Sequence, residues 1–534
     1  MSNPFSPGYL DAVPGGLSVH GSSGASPFLG PQTGGIRQRC AKFEFFSLSM
    51  TKESFGLVLV VTVIYWTGQL LTGTGVSVAS LFSTAIFFGL LSVFAGGGLR
   101  SAFGCLNAVL ICKFLLLGLA LKIILFQPAD GTLKAPETTG CVMALGFAAL
   151  FVGTQLQSKF ASPTRWSINR PISNQMLLAF AIALFTLSYV AYFAVQVVSG
   201  NNDAHAQTGG WLGYARALAV LKSFTIVPPM LYFWKAKTRL WMTHPLILAL
   251  LGWSTLVGIY STGKESAVEP LAFYLLVGFM RYGIRDTRLW FVAGLALAYY
   301  TLIVFPYSQY VRHNGGRDGT LEQRVEITKD VFWRTLSDPT FRSATTERVS
   351  ETSFFNEASL APFNRLAMVG EADRLIAATE RQHAFTGGET ITWGFKLLTP
   401  SILLPDKPVF EAGNYLGHIV GDVHQSDSTT QISYGIMANF YNAFALPGVF
   451  IGTTVFIFCF YYYIRIFLGN AAWDGTPSIT THWFIWIVVS FQHSIVESTA
   501  AGLIASISFP FVLSIVWMAA KGVCLFMNRK SVYA

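Results

Sequence analysis

Along this chain the apolar positions come in unbroken runs of about twenty, the length an α-helix needs to cross the hydrocarbon core of a bilayer. Such runs fall near 55–73, 76–95, 103–126, 140–157, 174–199, 214–234, 245–261, 266–281, 289–305, 447–468, 482–498 and 500–526. The pattern predicts about twelve transmembrane helices. Spanning strands are excluded, because barrel strands alternate apolar and polar positions over about ten residues.

The polar breaks orient these spans, since Lys and Arg collect on the cytoplasmic side of membrane helices. Arg100 follows the second run, and Lys159, Arg165 and Arg170 follow the fourth. Lys235, Lys237 and Arg239 follow the sixth, Arg281, Arg285 and Arg288 the eighth, and Arg529 and Lys530 lie near the end of the chain. The opposite breaks, such as Thr72-Gly73-Thr74-Gly75 and 201–207, carry almost no Lys or Arg. This alternation predicts that both termini are cytoplasmic. Residues 1–40 are rich in Gly, Ser and Pro and hold no apolar core of the kind a cleavable signal needs. Residues 1–52 therefore read as a disordered basic cytoplasmic tail.

The segment 306–446 then falls on the outer side. It is 141 residues long and holds 16 acidic and 12 basic residues. Loops of that length without a purpose are uncommon. Helical periodicity appears at 321–334, 363–381 and 391–404, and the last is too apolar for a solvated loop. It either lies along the membrane surface or re-enters the bilayer. The expected fold is an all-α polytopic membrane protein: a tail over 1–52, spans one to nine over 53–305, a large and mostly helical periplasmic loop or cap over 306–446, and spans ten to twelve with a short tail over 447–534.

Composition strengthens this picture. Of 534 residues, 52% are hydrophobic and 12% charged, where a soluble domain is roughly 25% charged. A soluble enzyme of several domains and a disordered chain are excluded. The net charge of +9 is scattered between apolar runs rather than gathered in the stripe of a nucleic-acid binder. The six cysteines, Cys40, Cys105, Cys112, Cys141, Cys459 and Cys524, have no metal-ligand spacing and read as small apolar side chains.

Ionisable residues at membrane depth are costly and are candidates for function. Lys113, Arg216, Lys222 and Glu269 lie in runs, and His493 and Glu497 share one helical face. Lys113 reads as a snorkelling or structural side chain. Arg216 and Lys222 either reach an anionic lipid headgroup from below or are structural, and His493 and Glu497 are either a buried pair or part of a site. The outer segment adds Tyr310, Arg312, Arg317, Arg365, Asp406, Lys407, His418, Asp422, His424, Asp427, Asn439 and Tyr441. Arginine suits a diphosphate, because its charge is permanent and its fork is bidentate. Aromatics beside amides suit sugar faces. No Walker loop, HExxH or GxSxG motif occurs, the spacing of His418, Asp422 and His424 does not make a metal site, and no cofactor is expected.

At these residues the chain resembles the bacterial oligosaccharide repeat-unit polymerases, the O-antigen polymerase (Wzy-like) group. Tyr260-Ser261-Thr262-Gly263-Lys264-Glu265 resembles a short turn between two spans, and Phe363-Asn364-Arg365-Leu366 an arginine motif of the large loop. Leu404-Pro405-Asp406-Lys407-Pro408 resembles a Pro-Asp-Lys-Pro stretch, with Leu404 where Trp is usual. Ser433-Tyr434-Gly435 and Phe440-Tyr441-Asn442-Ala443-Phe444 resemble the run into the next span, with Asn439 where an acidic residue is often seen. His424 and Gly435 also fit a spacing of the related O-antigen ligases. The resemblance implies metal-independent glycosyl transfer at the periplasmic face of the bacterial inner membrane, for O-antigen, capsule or exopolysaccharide. The partners implied are a polyprenyl-diphosphate-linked oligosaccharide, the lipid bilayer, and a chain-length regulator and flippase of the same pathway; no nucleic acid is expected. Arg312, Arg365 and His424 are the catalytic candidates. Arg317, Arg216, Lys222, Lys407, Asp406, Tyr310, Asn439 and Tyr441 are the substrate-binding candidates. His424, Asp427 and Glu371 are candidates for the general base. An O-antigen ligase-type transferase and a flippase or transporter of lipid-linked sugar are the alternatives.

Overall fold

A computed structural model describes residues 42–45, 48–160, 172–199, 215–216, 218–238, 241–260, 264–313, 321–341, 354–355, 358–398, 412–424, 432–468, 479–491 and 515–525. These residues are overwhelmingly helical. One short hairpin stands among them. Strand β1 (Lys42–Phe45) pairs antiparallel with β2 (Leu48–Thr51), with Lys42 opposite Thr51. Phe43 and Phe45 alternate there with Lys42 and Glu44, the period of a strand.

Among the described residues, seven helices are long and apolar enough to cross a membrane: Lys52–Leu71, Val76–Ala95, Ala102–Ile124, Pro136–Phe160, Asn174–Val197, Thr287–Val311 and Ile436–Ile466. They fall on predicted runs one to five, nine and ten. The first is started by Thr51, whose hydroxyl accepts from the Ser54 N–H at 3.1 Å, with Glu53 in the first turn, where a negative charge favours the helix dipole.

The remaining predicted runs are shorter, more charged or less regular as helices. Run seven is the 16-residue helix Pro245–Tyr260. Run eight is the continuous 19-residue helix Lys264–Tyr282, which carries Pro270 and the charged Lys264, Glu265, Glu269 and Arg281. Run six tightens into the 3-10 segment Val220–Ile226 and resumes as Val227–Lys235. The cause is Pro228 and Pro229, which lack the N–H that would bond the carbonyls of Phe224 and Thr225. Run eleven begins as Ile479–Trp486 and continues through a π turn to Phe491. The described part of run twelve is Ile515–Leu525.

The spans pack through small residues and one buried amide, the devices that join helices where lipid offers no hydrophobic drive. A Cβ added at Gly153 would stand 2.8 Å from the Thr454 carbonyl oxygen, so the fourth and tenth spans approach backbone to backbone. Asn107 is fully buried. Its amide donates to the Ser92 carbonyl at 2.8 Å and to the Thr154 hydroxyl at 3.2 Å, while Tyr461 donates to its oxygen at 2.5 Å. Four spans are thereby pinned by one side chain.

The helix Ile436–Leu468 breaks at Phe444 (φ −145°, ψ 22°) and Ala445 (φ 56°, ψ −156°). Pro447 removes one helical hydrogen bond and disfavours helix at the residue before it. The stretch 436–443 is buried on every side. Met437 packs against Gly146, and Phe440 against Gly448 and Gly452. Gly146 is ten residues into the helix that starts at Pro136, about 15 Å along its axis. The stretch 436–443 therefore lies beside the spanning helices.

Candidate functional site

We number as α1 the helix Met368–Gln382, as α2 Glu389–Leu398, and as α3 Ala412–Val420. Together with 434–443 these elements bring Glu371, Arg374, Asp422 and Tyr434 into one place. In α1 the residues Val369, Ala372, Leu375, Ile376 and Thr379 are buried, at the spacing of one helical face. Glu371, Arg374 and Arg381 are more accessible than these. The helix ends at His383, whose left-handed backbone (φ 51°) lets its N–H bond the last turn.

Asp373 lies on the buried face and caps a different helix. Its carboxylate accepts from the Lys134 N–H at 2.6 Å, the Ala135 N–H at 3.0 Å and the Thr139 hydroxyl at 2.7 Å, at the amino end of Pro136–Phe160. Burial pushes this carboxyl up, and the three hydrogen bonds and Lys134 pull against that. The next residue, Arg374, points to the other side. Its guanidinium reaches the Asp422 carboxylate at 2.7 Å and is paired with Glu371 one turn back. The three side chains are 11%, 13% and 18% exposed respectively. Tyr434 donates its phenol to the second Asp422 oxygen at 2.9 Å. Burial, then the Asp422 charge, push that phenol up. One guanidinium thus stands between two carboxylates. Such a group can orient a hydroxylated ligand and accept its proton.

The stretch 436–443 is stitched to α1 and α2. Tyr441 donates to Glu380 at 3.0 Å, and buried Asn439 donates to the Thr390 hydroxyl at 3.2 Å. The Asn442 amide donates to the Thr379 hydroxyl and the Ala384 carbonyl, both at 2.9 Å, and accepts from Thr386 at 3.0 Å.

The sequence candidates are distributed as follows. Glu371 and Asp422 meet at Arg374, while Tyr441 reaches Glu380 and Asn439 reaches Thr390. Asn439 and Tyr441 are both buried, so their hydrogen bonds serve packing between elements. His424 is exposed, two residues beyond Asp422. Arg365 lies in the 3-10 segment Ala358–Leu366 that precedes α1, and Arg312 in the helix Phe305–His313 that prolongs the ninth run. The side chains of Arg312 and Arg365 lie outside the described residues, as do Arg317, Asp406, Lys407, Asp427, His493 and Glu497. Tyr310 packs its ring 5.0 Å from Phe341. Lys222 lies against Tyr192, and Arg216 is half-buried. The Lys222 ammonium lies 4.8 Å from the Tyr192 ring centroid, and Glu269 acts on it electrostatically.

Sequence reasoning did not single out Arg374 or Glu380. The signal for Arg374 was its spacing three residues after Glu371, which places both on one side of a helix. The predicted helix 363–381 is itself divided: Ala358–Leu366 is 3-10 with Pro362 inside, and the α-helix begins at Met368. Among the described residues no group of three or more His, Cys, Asp and Glu side chains is arranged to hold a metal ion. No family model matches the sequence, and no curated protein or solved structure matches it.

Proposed function

We propose that this chain is a membrane-embedded glycosyltransferase that joins polyprenyl-diphosphate-linked oligosaccharide units at the periplasmic face of the bacterial inner membrane. The observation that carries the reading is the Arg374 group. A guanidinium paired with Asp422 and Glu371, with Tyr434 bonded to Asp422, lies within the segment that bears the polymerase-like motifs. In this reading the chain has twelve spans, both termini are cytoplasmic, and 306–446 forms a periplasmic cap.

The acceptor hydroxyl attacks the anomeric carbon of the growing glycan. The bond from that carbon to the diphosphate oxygen breaks, and polyprenyl diphosphate leaves with the electron pair. Glu371, His424 or Asp427 takes the acceptor proton. Arg312, Arg317 and Arg365 neutralise the diphosphate. Arg374 fixes Asp422 and Glu371, and so acts as a positioning residue. The leaving group is already a stabilised anion, so positioning and charge stabilisation carry the rate.

The test is the purified protein in lipid vesicles with a polyprenyl-diphosphate-linked repeat unit. A glycan ladder with release of polyprenyl diphosphate is expected. Arg365→Ala should abolish the ladder, and Arg374→Lys should reduce it by about tenfold or more while the melting temperature in micelles holds. A single transfer to a different acceptor would make the protein a ligase. Movement of intact lipid-linked sugar across the vesicle, with no ladder, would make it a flippase.

A further inference from the structure

Two aromatic-carboxylate pairs flank the turn between α1 and α2, and neither includes a partner of Arg374. In the first, Tyr441 donates to Glu380, and the Phe385 ring lies 6.1 Å from Tyr441. Phe385 is 44% exposed. In the second, Tyr415 donates to Glu389 at 3.3 Å, and its ring meets Trp393 edge-on at 5.2 Å. Trp393 and Tyr415 are half-buried, and Glu389 is exposed.

The backbone between the pairs is held in place. Phe385 and Glu389 flank a turn in which Gly387 and Gly388 have φ of 58° and 85°. The Thr386 N–H donates to the Asn442 carbonyl at 3.0 Å. A Cβ on Gly388 would stand 2.6 Å from the Phe444 ring. Gln382 donates to the Ile419 carbonyl at 3.1 Å, which ties α1 to α3. The aromatic faces and the carboxylates are therefore fixed relative to one another before any ligand arrives.

We propose that this face binds the sugar residues of a neutral oligosaccharide. A pyranose has an apolar face of C–H groups and a rim of hydroxyls. Phe385 and Trp393 offer flat apolar surface to the first. Glu380 and Glu389 accept charge-assisted hydrogen bonds from the second. Carboxylates as the acceptors select against sugars that carry a carboxylate of their own, although Arg381 and Lys396 on the same helices keep the wider surface mixed in sign. The inference deepens the glycosyl-transfer reading by naming the class of glycan, and it rests on that reading for the biological donor.

The test uses the full chain in lipid nanodiscs and three free hexasaccharides, with no lipid-linked donor present. The probes are maltohexaose, chitohexaose and a galacturonate hexamer, followed by saturation-transfer NMR. Binding of at least one neutral probe with contacts from its ring C–H protons is expected. Phe385→Ala should weaken it by about tenfold, Phe385→Tyr should retain it, and Glu380→Gln should weaken it less. Because Phe385 is exposed, its removal leaves the fold in place, as an unchanged melting temperature would verify. No binding of either neutral probe at about 10 mM, a weak regime for any specific site, overturns the proposal. So does equal affinity for the galacturonate, or equal affinity in Phe385→Ala. Free-glycan binding without transfer would leave this face standing and defeat the transferase reading. Transfer without free-glycan binding would do the reverse.

Discussion

Asn442 shows what one buried amide does at the junction of the outer segment with the spans. It is fully buried, and its amide is bonded to Thr379, Ala384 and Thr386. Removing it leaves a buried hydroxyl and a buried carbonyl without their donor, at a cost of about 1–3 kcal/mol each. Asn442→Ala should therefore lower the melting temperature in micelles measurably, whereas Asn442→Asp should restore only the Thr386 contact. An unchanged melting temperature in the alanine variant would remove Asn442 from the packing argument. This residue stood inside a motif in the sequence, but its role as a junction was not legible there. Its partners lie 56 to 63 positions away, and no local period connects them. The same holds for Arg374. The arginines singled out by motif were Arg312 and Arg365, while the one that meets Asp422 gave only its helical spacing to Glu371.

Elements with an uninterrupted apolar run were legible, and the run with paired prolines was not. The first five runs, the ninth and the tenth all become long apolar helices. The sixth carries Pro228 and Pro229 and becomes a 3-10 segment followed by a short helix. The stretch 436–443 read, by resemblance, as the approach to a span, and it is buried throughout. Hydrogen bonds between elements offset its polarity. At its end Ala445 occupies a backbone region that only glycine reaches without strain, which costs of order 1–3 kcal/mol. Ala445→Gly should relieve part of that strain, partly offset by the greater freedom of glycine in the unfolded chain. A net gain of up to about 1 kcal/mol in unfolding free energy is expected. It would appear as a shift of the denaturation midpoint, and a loss of stability would show that the surrounding packing needs the methyl group.

For the whole molecule, the alternation of basic breaks predicts sidedness, and single engineered cysteines read it directly. In a chain with its native cysteines replaced, a cysteine at Glu389 should react with an impermeant maleimide added to intact cells. Cysteines at Lys159 or Lys237 should react only after permeabilisation. All three positions are exposed, so a lack of reaction cannot be put down to burial in the fold. The reverse pattern would invert the topology and remove the periplasmic assignment of the Arg374 group.

The Asp373 cap has a consequence for how the chain is made. The amino end of Pro136–Phe160 is bonded to a carboxylate 239 residues further along. At about 5–20 residues per second of synthesis, that helix stands in the membrane for roughly 12–48 s before its cap exists. During that interval its leading N–H groups are served by water or by the translocation machinery. Chains released early, before Asp373 has emerged, would carry an open helix end, a mark by which quality control can tell an unfinished molecule from a finished one.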